Sequence, residues 1–137
     1  MTIQYRDSLT STEDFCTLFE TTGWNREYNL SHEDLINAIS RSWLLATAYE
    51  GERLIGFGRV ISDGVLHAMI YDLIIDPDFQ GLGIGKRILT TIVEKCRQAR
   101  IRDIQLFCAR GKKIFYEKQG FRARTDDAPG MEYISPN

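Results

Sequence analysis

A chain of 137 residues, 43% hydrophobic and 26% charged, has the size and composition of one globular domain with a core of its own. Its 17 Lys and Arg are interspersed with 19 Asp and Glu for a net charge of -2, which argues against a general nucleic-acid binder. The opening MTIQYRDSLTSTEDF carries charges where a signal sequence needs an apolar run, and no window is long and apolar enough to span a bilayer; a cytoplasmic protein without a membrane partner is expected.

In chain order, IQYRD alternates as a short first strand. TSTEDFCTLFETT follows with a hydroxyl cap and with Phe15, Leu18 and Phe19 at helical spacing. Gly23 ends that helix, WNREYN is irregular, and SHEDLINAIS opens a second helix under Ser31 with Leu35, Ile36 and Ile39 on one stripe. WLLATAYEGERLIGFGRVIS is two strand-like runs around Glu50-Gly51, and SDG leads into a third run, VLHAMIYDLIID. From Gly83 the period becomes helical, with Ile84, Ile88, Leu89, Ile92, Val93 and Cys96 on one face. DIQLFC reads as a buried strand, GKKIFYEKQG as a short helix closed by Gly120, and FRAR and MEYI as final edge strands. This order predicts a single domain over residues 1–137 with an α/β (α+β) fold: a mixed sheet, helices on both faces, and a right-handed parallel crossover from Ile84 to Cys108. An exposed edge near MEYI would allow a homodimer. Cys16, Cys96 and Cys108 are odd in number, far apart and without a CxxC pair or a nearby His, so reduced thiols are expected, with neither a disulfide nor a metal.

The stretch DPDFQGLGIGKRIL carries the chemistry. A strand ending at Asp76-Pro77, a glycine-rich turn and a helix start bring free backbone N–H groups to one point, backed by the helix dipole, and such a point favours a phosphate. Gly81, Gly83 and Gly85 let an anion approach the backbone, and Lys86 and Arg87 add positive charge. A dinucleotide fingerprint starting at Gly83 would need a small residue where Ile88 stands. A Walker loop would need one more residue between Gly81 and Gly85, and a hydroxyl where Arg87 stands.

The remaining pattern, Gln80, Gly83 and Gly85 in Gln-x-x-Gly-x-Gly, resembles the loop of the GCN5-related N-acetyltransferase (GNAT) family. IFYEKQGF, from Ile114 to Phe121, resembles that family's closing signature, and the element order agrees along nearly the whole chain. YDLIIDPDFQGLGIG, LFCARGKKIFYEKQGF and GMEY look most similar to small bacterial members and the plant serotonin acetyltransferase group. The resemblance implies a mostly antiparallel sheet of six to seven strands splayed at a β-bulge, about four helices, and acetyl-coenzyme A (acetyl-CoA) as cosubstrate without a metal. It implies that the strand through Leu73, Ile74 and Ile75 parts from its neighbour near Leu106 and Phe107, and that an amide such as that of Ile74 polarises the thioester carbonyl. Coenzyme contacts are implied for these three residues, for Gln80, Gly81, Leu82, Gly83, Ile84, Gly85 and Lys86, and for Lys112 and Phe115.

Tyr116 matches the family tyrosine that protonates the departing thiolate. Met69 and Tyr71 stand where some relatives carry a Glu or a pair of His residues that take the amine proton, so the base is left open between Tyr71 and Asp72. Asp72 either faces the cleft or is tied to a helix end on the sheet's other face. Ala109 departs from the Asn or Asp of many relatives. By family analogy Trp24, Tyr28 and Trp43 stand on the acceptor side, either holding an amine or packing in the core. The expected activity is acetylation of a primary amine, such as an arylalkylamine, a polyamine or an amino sugar, by direct attack in a ternary complex. A protein lysine or N-terminal acetyltransferase and a noncatalytic coenzyme-binding sensor are the alternatives.

Overall fold

The computed structural model describes residues 2–136, which pack as two units, one through Leu106 and one from Phe107 onward. In the first, strands β1 (Ile3–Arg6), β2 (Leu44–Glu50), β3 (Arg53–Ser62), β4 (His67–Ile75) and β5 (Asp103–Leu106) form one sheet in that spatial order. β1 to β4 are antiparallel neighbours and β5 runs parallel to β4. The parallel step requires a crossover, which helix α4 (Ile84–Gln98) provides.

Helices α1 (Thr12–Glu20), α2 (Asn25–Tyr28) and α3 (His32–Ser40) precede β2. The apolar stripes of α1 and α3 bury Phe15, Leu18, Phe19, Leu35 and Ile39 in one cluster with Tyr49, Leu54, Phe57 and Ile74 of the sheet. Each such side chain contributes about 1.5–3 kcal/mol on leaving water. Tyr49 is fully buried, yet its hydroxyl is paired: it donates to Asp14 Oδ2 at 2.8 Å and accepts the Thr10 N–H at 3.0 Å, tying the start of α1 to the sheet. Helix α4 lies close over β3 because that strand offers two glycines. A Cβ at Gly56 would stand 2.8 Å from Ile88 Cδ1 and 3.0 Å from Ile84 Cγ2, and one at Gly58 would stand 3.0 Å from Ile92 Cδ1.

The second unit holds helix α5 (Lys113–Lys118), closed by Gly120 at φ +94°. Among the described residues the strands expected at FRAR and MEYI do not form, so the sheet has five strands rather than six or seven, with five α-helices rather than about four. Residues 121–136 form no strand, and Met131, Tyr133 and Ile134 are each more than 80% exposed. Four alternating residues become a strand only where a neighbour supplies the ladder. MEYI, where an edge strand was expected, therefore forms no strand among the described residues. Among the described residues no helix is long and apolar enough to cross a membrane.

Candidate active site

The last β4–β5 pair is Ile70 with Leu106, and beyond it β4 runs on to Ile75 with β3 as its partner. The β3–β4 register slips between Phe57 and Arg59, placing Asp72 and Leu73 opposite the single residue Gly58; Asp72 takes the bulge at φ +55°. β4 is thus open on its β5 side where the bulge re-aims it. Orientation of the amides follows from alternation. The Asp76 N–H donates to Ile55 O at 2.8 Å, so Ile74, two residues back and opposite Phe57, also turns its N–H toward β3. The amides of Leu73 and Ile75 face the open side. Among the three residues named from the sequence, the geometry thus favours Leu73 and Ile75 over Ile74 for contacts through N–H.

The turn after β4 is built to hold its shape. Buried Asp76 accepts the Asp78 N–H at 2.9 Å and pairs with Arg53 at 2.9 Å, and Arg53 also lies 5.2 Å from the Phe79 ring centroid. Gln80 Nε2 donates to Ile75 O at 3.1 Å, which fastens the loop to the strand end. Gly81 and Gly83 then follow at φ +79° and +82°, in the left-handed region where a side chain costs about 1–2 kcal/mol. A Cβ at either would meet no atom within 4 Å, so the space beside this backbone is open.

α4 starts directly from this turn. Gly83 is its N-cap, no side chain caps its amides, and the first intrahelical bond is Arg87 N–H to Gly83 O at 3.1 Å. The N–H groups of Ile84, Gly85 and Lys86 are therefore without intrahelical acceptors, at the positive end of a 15-residue helix. Lys86 is exposed beside them. Arg87, expected to add charge there, turns elsewhere: its guanidinium lies 4.3 Å from the Tyr5 ring centroid, on a groove of about 430 Å³ that none of the other expected site residues line.

Asp72 is committed within the first unit. Its Oδ2 accepts Arg59 Nε at 2.6 Å, and Arg59 also donates to Ala38 O at 3.2 Å and Ser42 Oγ at 3.3 Å, at the end of α3. Tyr71 is 37% exposed, the first β4 residue beyond the last β5 pair. Arg59 and Arg53 went unremarked in the sequence, although a cation in a strand as apolar as RLIGFGRVIS signals a partner.

In the second unit Tyr116 is half-buried, with its ring 5.1 Å from Phe115 and 6.0 Å from Phe121, both edge-on. Burial first, and then repulsion from Cys108, push its phenol above the ordinary tyrosine range. Lys112 stands at the N-cap position of α5 without a side-chain cap, its charge exposed, and its N–H donates to Ala109 O at 3.0 Å.

An unpaired strand end beside an uncapped, glycine-led helix start is an arrangement whose free amides can take an anionic group. Residues 41–123 match the family described as Acetyltransferase (GNAT) domain. The Gracilaria tenuistipitata var. liui protein called uncharacterized N-acetyltransferase ycf52 is 34% identical over 129 residues, covering 91% of this chain and 69% of that one. The chain spans 45% of the length of other ycf52 relatives that it matches. Among solved structures, the Staphylococcus aureus protein SA2161, a probable acetyltransferase, is 26% identical with a TM-score of 0.81, covering 98% of this chain and 99% of that one. The PaiA N-acetyltransferase from Thermoplasma acidophilum, in complex with coenzyme A, is 26% identical with a TM-score of 0.70, covering 92% and 94%. This chain belongs to the GCN5-related N-acetyltransferase family.

Proposed function

We propose that residues 1–137 act as one acetyltransferase domain that moves the acetyl group of acetyl-CoA to a primary amine of a small molecule, by direct attack in a ternary complex. The single observation that carries this reading is the start of α4, whose amides are left uncapped under two glycines with open space beside them. The family match, running from residue 41 to 123, spans both units and supports treating them as one domain. Three free thiols accord with a reducing compartment such as the cytoplasm.

Acetyl-CoA supplies an acetyl group activated as a thioester. The amides from Gly81 to Lys86 hold its diphosphate, Gln80 keeps their loop in place, and Lys86 adds charge, with Lys112 a further cation read from the sequence for the coenzyme. The Leu73 and Ile75 amides face the coenzyme along the open side of β4, and the one nearest the acetyl carbonyl stabilises negative charge developing on its oxygen. For the second unit the family resemblance supports a coenzyme contact by Phe115 and a proton given by Tyr116 to the departing sulfur. Asp72 is a positioning residue: a carboxylate already engaged by Arg59 braces the bulge, which leaves exposed Tyr71 to pass the amine's proton to water. Trp24, Tyr28 and Trp43 are exposed by 39%, 65% and 38%, so a large part of each aromatic surface is available to an aryl or cationic amine.

A thiol-release assay with acetyl-CoA over arylalkylamines, polyamines, amino sugars and lysine peptides, with mass spectrometry of the products, tests the reading. Small amines are expected to turn over. Acetylated peptides alone would make this a protein acetyltransferase, and coenzyme binding without any acetylated product would make it a sensor. Tyr116→Phe is expected to lower kcat by about 10²-fold with coenzyme affinity within about twofold. The acid form of Tyr116 persists until pH rises through a pKa above about 10. The alkaline fall in kcat should therefore lie beyond the ordinary phenol range and vanish in the variant. Unchanged kcat would remove Tyr116 from the chemistry.

A further inference from the structure

Packing of α1 against the first turn of α3 gathers three side chains outside the acyl-transfer residues. Glu13 and Cys16 are one turn apart on α1, and His32 is the first residue of α3. A carboxylate oxygen of Glu13, the Cys16 sulfur and an imidazole nitrogen of His32 all lie within 4.8 Å of one another. His32 Nδ1 is 2.9 Å from Glu13 Oε2, and Cys16 Sγ is 3.8 Å from the His32 carbonyl oxygen. The sulfur belongs to a fully buried residue held among core side chains, whereas Glu13 and His32 are exposed and free to adjust.

We propose that Glu13, Cys16 and His32 form a binding site for a thiophilic divalent cation of the zinc type, with a water or an added ligand in the fourth position, and that the bound cation clasps α1 to α3. The donor set is the first reason. Sulfur, imidazole nitrogen and carboxylate oxygen are the three protein donors that zinc takes, at about 2.0–2.3 Å each. Tetrahedral coordination then sets donors roughly 3.3–3.8 Å apart, so this cluster closes on a cation by side-chain shifts of about 1 Å. Charge is the second reason. A thiolate and a carboxylate neutralise a divalent cation, with His32 neutral, so the occupied site carries no net charge beside the core. The incoming cation displaces the thiol proton to solvent as the sulfur–metal bond forms. An ordinary surface ion pair would need only Glu13 and His32. The clasp is independent of the acyl-transfer reading, since none of its residues has a part in that chemistry.

Full-length protein titrated with cobalt(II) as an optical probe, and with zinc in calorimetry and thermal melting, tests the site. The expected result is one equivalent bound, a thiolate-to-cobalt charge-transfer band and a higher Tm with zinc. Cys16→Ala should lose the band. The surface change His32→Gln, which leaves the core untouched, should weaken binding by about tenfold or more and abolish the Tm rise. Cys108→Ser should behave as the parent protein, since that exposed thiol lies elsewhere in the chain. No band at millimolar cobalt, undiminished binding in His32→Gln, or loss of the band in Cys108→Ser would each overturn the proposal.

Discussion

Helices α3 and α4 begin in opposite ways. α3 opens under Ser31, whose hydroxyl accepts the Asp34 N–H at 3.1 Å while Asp34 accepts the Ser31 N–H at 3.4 Å, and α1 repeats the arrangement with Ser11 and Asp14. α4, the longest helix, opens under a left-handed glycine with no side chain on its amides. A capping serine contributes about 1 kcal/mol to a helix. The two shorter helices take that stability from their own side chains, and α4 forgoes it. What the difference teaches is that satisfied amides hold a fold together, whereas amides left open are free to hold a ligand.

The comparison breaks most sharply if α4 is closed like α1 and α3. Gly83→Asp puts a carboxylate over the free amides, and Asp tolerates the left-handed region better than most residues. Two unit charges about 4 Å apart at an effective dielectric near 20 repel by about 4 kcal/mol. Coenzyme affinity is therefore expected to fall by about 10²- to 10³-fold in calorimetry; a Kd within about threefold of the parent would mean that the diphosphate sits elsewhere.

The seat of α4 gives a smaller effect. Gly56→Ala forces a Cβ to 2.8 Å from Ile88 Cδ1 and 3.2 Å from Ala48 Cβ, and overpacking of this kind costs about 1–3 kcal/mol. Urea unfolding should show that loss, and an unchanged midpoint would show that Ile88 moves aside freely. The smallest effect sharpens the contrast from its closed side. Ser31→Ala is expected to cost about 1 kcal/mol in stability and to leave coenzyme affinity unaltered. A large change in affinity would join two helix starts that the present reading keeps separate.

Legibility in the sequence followed range. Capping serines, the apolar faces of α1, α3 and α4, and the Gln80–Gly85 loop are local patterns, each readable within about one or two turns of chain, and the structure forms these elements where they were expected. The bulge was expected through family resemblance, but which amides it exposes depended on the β3 register, and hence on Ile55 receiving the Asp76 N–H. Asp72 looked equally able to face a cleft or a helix end. Its partner Arg59 is 13 residues earlier in sequence and meets it only because β3 and β4 pair. The final strands were misread because alternation in FRAR and MEYI specifies a face and cannot supply a neighbour.

By itself the sequence determined helices α1, α3, α4 and α5, the serine caps of α1 and α3, the glycine loop and the family, whereas α2 at Asn25–Tyr28 forms where an irregular segment was expected; the former depend on backbone preferences and spacings within short stretches of chain. Tertiary structure alone decided that Asp72 meets Arg59, that Leu73 and Ile75 turn their amides to the open side of β4, and that Cys16 and His32 become neighbours. Those outcomes need strands and helices from distant segments to pack against one another, and the separation between such groups in space is set by register and burial rather than by their separation along the chain.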